Sequence, residues 1–198
     1  NQTNAQGELI LARIPAGNNP IEIDDNGQQL LTDDATEQYQ LAATEWDKYL
    51  KATKNNPDPA VALQVSNAVL NIAGGTVAQF QSNMGTVVEA QRYVAANAVA
   101  ESKKYGPNPA AQLTALARYE YFNQEYDAAK KTRAEALSFA EDKTTKTQST
   151  TQLDAAEKQA RQIGKQIDAA KKQAGKQKGQ QLEDPFGSLG SGSATTTP

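Results

Sequence analysis

The rhythm of apolar and polar positions changes twice along this chain and divides it into three parts. Residues 1–31 hold two short apolar runs, Glu8 to Ile14, closed by Pro15 and Gly17, and Ile21 to Ile23, followed by an Asp25-Asn26-Gly27 turn signal. Proline and turn residues at this density oppose a helix, so the pattern predicts an extended N-terminal arm. From Thr32 the apolar spacing becomes three and four. Tyr39, Ala42, Ala43, Trp46, Tyr49 and Leu50 make one stripe of a helix capped by Thr32 or Asp33 and stopped at Asn55-Asn56-Pro57. Pro59 to Ala73 reads as a second helix, interrupted by Gly74-Gly75. A third resumes at Val77, with a break expected near Ser82 to Gly85, and continues through Val87, Val88, Ala90, Tyr93 and Val94 to Lys104. Ala110 to Phe122 predicts a fourth helix, Asn123-Gln124-Glu125 a tight turn, and Tyr126 to Glu141 the antiparallel mate. From Leu153 a narrow seam of Leu153, Ala156, Ala160, Ile163, Ile167, Ala170 and Ala174 alternates steps of three and four, which predicts a last helix lying against one surface. Residues 179–198 are a Gly/Ser/Thr-rich tail whose composition predicts flexibility.

A repeat underlies the middle part. Asn56-Pro57-Asp58-Pro59-Ala60-Val61-Ala62-Leu63 is echoed by Gly106-Pro107-Asn108-Pro109-Ala110-Ala111-Gln112-Leu113, and in each copy the second proline sits where a helix begins and its missing N–H costs nothing. Two helix starts of one kind imply stacked hairpins. Asn108 to Asp142 resembles one tetratricopeptide repeat: with Tyr126-Asp127 as the turn signature, the family's small and large positions fall on Leu113, Leu116, Ala117, Tyr126, Ala129, Ala136 and Leu137. The unit departs from the family at Glu120 and Arg133, which stand at positions usually aromatic, and at Glu141, which replaces the usual terminal proline. A more degenerate unit runs from Pro59 to Gly106 with extra residues near Gly74-Gly75, and the helix of Ala42, Trp46 and Leu50 is the second half of a truncated first unit. The resemblance implies an all-α fold of stacked antiparallel hairpins over residues 32–178, with the seam of the last helix covering the final repeat as a cap.

Composition fits that fold. Only 38% of the residues are hydrophobic, with one Trp and one Met, so the core must be built of small side chains packed between helices, and a β-sandwich lacks the branched and aromatic residues it needs. The formal net charge is -3, which gives no general attraction to nucleic acid or anionic lipid. The charge is uneven. Residues 1–60 are acidic (Asp24, Asp25, Asp33, Asp34, Glu37, Glu45, Asp47, Asp58), and residues 158–178 are basic (Lys158, Arg161, Lys165, Lys171, Lys172, Lys176, Lys178). Opposite signs at the two ends suit head-to-tail contact, although a solvated helix face explains them as well. No window is long and apolar enough to span a membrane. The chain opens Asn1-Gln2-Thr3 without Met, which fits a processed or trimmed chain preceded by a signal peptide or anchor. With the polar arm and Gly/Ser/Thr tail, the expected location is the cell envelope or exterior.

Chemistry is scarce. Histidine and cysteine are both absent, which removes His-based triads, thiolate nucleophiles, disulfides, and the usual zinc ligands. The adjacent carboxylates Asp24-Asp25 and Asp33-Asp34 suit turns and a helix start better than a catalytic cleft. Glu22 to Asp33 follows calcium-loop spacing loosely, with the first and last ligand types exchanged and no helix leading in, so a plain turn is the better reading. No Gly-rich phosphate loop follows a strand, and the basic stretch has no interleaved aromatics for bases to stack on. Asn1-Gln2-Thr3 is formally a glycosylation acceptor, and Thr195 to Thr197 are O-linked candidates. The sequence therefore predicts no enzyme, no cofactor, no metal and no nucleic acid, and points to recognition by surface. Stacked hairpins line a groove with the first helix of each pair, so Gln64, Asn67, Asn71, Arg118, Tyr121 and Phe122 are the candidate partner-binding residues. Leu9, Leu11 and Ile14 in the arm and Phe186 and Leu189 in the tail are candidates for contact with a neighbour. Two functions remain: a scaffold that binds another protein, and a self-assembling structural subunit of a homopolymer joined through its arm or tail.

Overall fold

The computed structural model describes residues 21–23, 29–72 and 76–174. Its first elements are two three-residue strands, β1 (Ile21–Ile23) and β2 (Gln29–Leu31). They pair antiparallel with Ile21 opposite Leu31 and Ile23 opposite Gln29, so this end of the arm is a hairpin. The Asp25-Asn26-Gly27 turn signal between them lies outside the described residues. The run from Glu8 to Ile14 and the tail lie outside the described residues, as do Leu9, Leu11, Ile14, Phe186 and Leu189.

Six helices follow: α1 (Asp33–Ala52), α2 (Pro59–Asn71), α3 (Val77–Tyr105), α4 (Ala110–Phe122), α5 (Tyr126–Phe139) and α6 (Lys143–Ala174). All but α5 start with a side chain that satisfies a free N–H group of the first turn. Thr32 accepts from the Ala35 amide at 3.3 Å. Thr76 and Gln79 close a reciprocal capping box at 3.2 and 3.0 Å. The two repeated Pro-x-Pro starts share one geometry: Asp58 accepts from the Ala60 amide at 2.8 Å and Asn108 from the Ala110 amide at 2.9 Å.

The connections span residues 53–58, 72–76, 106–109, 123–125 and 140–142. Lengths this short force successive helices to run antiparallel. α1 packs on α2, α2 on α3, α3 on α4, and α4 on both α5 and α6, with a lighter contact between α5 and α6. Trp46, Tyr49, Phe80, Met84 and Tyr121 are almost fully buried and belong to one continuous cluster that reaches Leu153, Ala160 and Ile167 on α6. The seam of the last helix is thus buried in the chain's own core. A second cluster of Val88, Ala95, Leu113, Leu116 and Ala136 joins α3, α4 and α5.

Two expectations change. The break near Ser82 to Gly85 is absent: α3 runs unbroken for 29 residues, because Phe80, Met84, Val87 and Val88 keep helical spacing across the glycine and all are buried. The last helix starts at Lys143, ten residues before Leu153. Its first turns are rich in Thr, a poor helix former, and hide the apolar period. Their hydroxyls bond back to carbonyls four residues earlier, from Thr147 to Lys143 at 2.8 Å, Thr150 to Lys146 at 2.7 Å and Thr151 to Thr147 at 2.9 Å. Asp142 caps this helix, accepting from the Thr145 amide at 2.8 Å and from its hydroxyl at 2.6 Å.

Gln124 occupies the left-handed region with φ 64°, in a turn where the Glu125 amide bonds the Glu120 carbonyl at 2.9 Å, a helix-ending geometry that favours glycine. Its side chain lies against Gly164 of α6. Gly85, by contrast, has open space around the position of a Cβ. Gly85→Ala is therefore expected to stabilise the fold by about 0.5–1 kcal/mol through helix propensity. Gln124→Gly is expected to gain a similar amount, about 0.5 kcal/mol, by relieving the left-handed backbone. Urea melts followed by circular dichroism measure both; a destabilised Gly85→Ala would mean that α3 is kinked there.

Candidate partner-binding surface

The outward face of α2 carries Gln64, Asn67 and Asn71, all exposed. Helical spacing of three and four aligns them, and the Asn71 amide donates to the Asn67 carbonyl at 3.0 Å. Leu63 stands beside them, 42% exposed, and is not among the sequence candidates. On α4, Arg118 is exposed, and its guanidinium lies 5.8 Å from the Tyr119 ring centre and 5.7 Å from that of Phe122, a stacked arrangement that leaves its outer edge free for a partner.

Tyr121 and Phe122 do not belong to this surface. They are buried, at 0% and 4% exposure, because their positions in the last turn of α4 face the junction with α5 and α6. The Tyr121 ring lies 6.3 Å from Tyr126. Its hydroxyl is closed off from solvent and lies near Arg133 and Glu157. Burial raises its pKa, while Arg133 and Glu157 nearby act on it in opposite senses. Around it, Arg133 pairs with Asp154 at 2.7 Å, Arg161 pairs with Glu157 at 2.7 Å, and Arg161 sits 4.8 Å over the Tyr126 ring. Arg133 with Asp154, and Arg161 over Tyr126, fasten α6 to α5, whereas the Arg161–Glu157 pair lies within α6. α2 and α4 each pack on α3 and are not a closely packed pair with one another, so Gln64, Asn67 and Asn71 lie on one helix and Arg118 on another, with α3 joining them.

What sets their relative positions is a polar turn of α3 that sequence reasoning did not single out. The Trp46 indole N–H donates to Glu89 at 3.0 Å, which ties α1 to α3. The Gln91 amide donates to the Ser66 hydroxyl at 2.8 Å in a buried contact with α2. Arg92 reaches the Glu120 carboxylate at 3.3 Å and also pairs with Glu125, while the Thr132 hydroxyl donates to Glu120 at 2.7 Å. Glu120 is only 3% exposed. Burial works against the Arg92 charge, but Glu125 and Glu120 outweigh it and the pKa is raised. The oxygens of this buried carboxylate are satisfied by Arg92 of α3 and Thr132 of α5, which explains how the position tolerates a charge.

Among the described residues there is no group of three or more His, Cys, Asp or Glu placed to hold a metal ion, and no helix is long and apolar enough to cross a membrane. Compared with protein-family models, curated proteins and solved structures, the chain matches none.

Two outcomes follow from this geometry. Arg92→Met strips the counter-charge from a buried carboxylate and is expected to destabilise by about 1–3 kcal/mol, a loss that Glu120→Gln in the same chain partly restores; an additive double variant would deny the coupling. Hydrogen bonds from Thr145 hold the Asp142 carboxyl below its ordinary value of 3.8. A depressed carboxyl contributes stability that is present above the unfolded pKa and is lost as pH falls through the folded one. Protection of the amides at the start of α6, corrected for the intrinsic pH dependence of exchange, should therefore fall as pH drops through that range, and Asp142→Asn should remove that fall.

Proposed function

We propose that this chain is a non-enzymatic protein–protein interaction scaffold of the tetratricopeptide type, acting at the cell envelope or outside the cell, with α6 as the cap of its last hairpin. The observation that carries the proposal is the character of the two terminal helices. α6 buries only its seam and turns Asp154, Lys158, Arg161, Lys165, Asp168 and Lys172 outward. α1 turns Glu37, Gln40, Thr44, Asp47 and Lys48 outward, with Leu41 the one large apolar side chain exposed among its described residues. A helical stack finished at both ends by polar faces has no apolar end to offer a further repeat or a neighbour. That weighs against end-to-end stacking of copies and leaves the side surfaces for recognition. The carboxamides Gln64, Asn67 and Asn71 with Arg118 are groups that bond the backbone and carboxylates of a partner segment.

Light scattering on the purified chain over a wide concentration range is the first test. A constant monomer mass supports a scaffold; mass growing with concentration sinks it in favour of a self-assembling subunit. With a cross-linked partner identified, the triple variant Gln64→Ala, Asn67→Ala, Asn71→Ala is expected to weaken binding about tenfold or more while helicity is unchanged. Unchanged affinity would remove α2 from the interface.

A further inference from the structure

We infer that one edge of the helix stack is an electrostatic docking edge for an anionic lipid surface, with Tyr105 as its aromatic contact. This goes beyond the scaffold reading and does not depend on it. Because successive helices alternate in direction, the connections at 53–58, 106–109 and 140–142 lie on one edge and those at 72–76 and 123–125 on the other. The first edge gathers Lys51 and Lys54 from the end of α1, Lys103 and Lys104 from the end of α3, and Lys143 and Lys146 from the start of α6. All six are exposed, and none is in an ion pair among the described residues. Toward the opposite edge the last turn of α6 carries Lys171 and Lys172, while the connections there contain no lysine or arginine.

The lysine edge also holds Tyr105, which at 80% is the most exposed large hydrophobic residue described. It stands between Lys104 and the left-handed Gly106, φ 82°, where α3 ends. Four carboxylates share the edge, Asp58, Glu101, Glu141 and Asp142, so six ammonium groups against four carboxylates leave a surplus of two positive charges. Asp58 and Asp142 are already engaged with helix-start amides, which leaves Glu101 and Glu141 as the free acids. Lysines at helix ends complement the helix dipole, which accounts for Lys51, Lys103 and Lys104 on their own but not for Lys54, Lys143 and Lys146. Lysines from three neighbouring loops add their attraction to an anionic surface, and a tyrosine with an apolar ring and a polar tip suits the headgroup level of a bilayer.

The test is co-sedimentation of the full chain with vesicles of phosphatidylcholine containing phosphatidylglycerol, and with pure phosphatidylcholine, at low and at physiological salt. Binding is expected to the anionic vesicles alone and to weaken as salt rises. The variant K51E/K54E/K103E/K104E is expected to bind at least roughly tenfold more weakly, and Tyr105→Ser severalfold more weakly. K158E/K165E, which changes charge on the outer face of α6 away from this edge, should bind as the parent does, and circular dichroism should show all variants equally helical. The inference is overturned by equal binding to neutral vesicles, by no binding at low salt, by K158E/K165E losing as much as the edge variant, or by binding to polyglutamate with no response to vesicles.

Discussion

Three side chains within a single turn of α3 hold the helices of this protein in relation to one another. Glu89 takes the Trp46 indole N–H from α1, Gln91 gives a hydrogen bond to Ser66 on α2, and Arg92 reaches across to Glu120 on α4 and Glu125 in the turn behind it. Successive residues of a helix point about 100° apart, so one turn addresses three neighbours. Much of the core around it is Ala, Val and other small residues. Such side chains supply apolar contact but little directional preference, because a helix bearing them can slide against its neighbour without losing much packing. The polar pairs are directional and are costly to leave unmade once buried. They therefore select one register among the several that the apolar surfaces permit.

The same division of labour recurs at the C-terminal end. α6 contributes Leu153, Ala156, Ala160, Ile163 and Ile167 to the core, a seam that repeats closely enough to be shifted by a heptad. The Thr114 and Ser149 hydroxyls meet at 3.4 Å where α4 and α6 cross. Arg133 with Asp154, and Arg161 over Tyr126, engage the same helix further along. The Arg133–Asp154 and Arg161–Tyr126 contacts are modest because Asp154 and Arg161 are exposed to water. Their value lies in agreeing on a single alignment.

Most of the helical order was legible from apolar spacing and from the helix-start signals. Asn123-Gln124-Glu125 and both Pro-x-Pro starts stand where the pattern placed them, because turn and cap chemistry is local. The misses have local causes too. Gly85 reads as a break in sequence, but buried neighbours on either side carry the helix through it. Thr144 to Thr151 conceal the first turns of α6 because hydroxyl groups bonding back to carbonyls leave no mark on an apolar pattern. The Ile21 to Ile23 run, read as extended, is β1, whereas its partner Gln29–Leu31 is too short to announce itself. Of the candidate surface, Gln64, Asn67, Asn71 and Arg118 are outside as predicted, whereas Tyr121 and Phe122 are inside. An aromatic residue at the end of a helix reads the same in sequence whether it anchors a partner or closes a hairpin; only the neighbouring helices decide it. The long-range polar contacts, separated by 25 residues for Ser66 and Gln91 and 28 for Arg92 and Glu120, have no periodic signature at all.

The short connections between helices constrain how such a chain can change its length. Adding or losing one helix would reverse the direction of every helix after it, moving each later loop to the opposite edge and exchanging the surroundings of its charges. Adding or losing a pair restores the original direction and leaves both edges as they were. A chain of this architecture can therefore grow or shrink by hairpins without disturbing the surfaces it already presents, and the fifty-residue spacing between its two Pro-x-Pro helix starts is the length of that step.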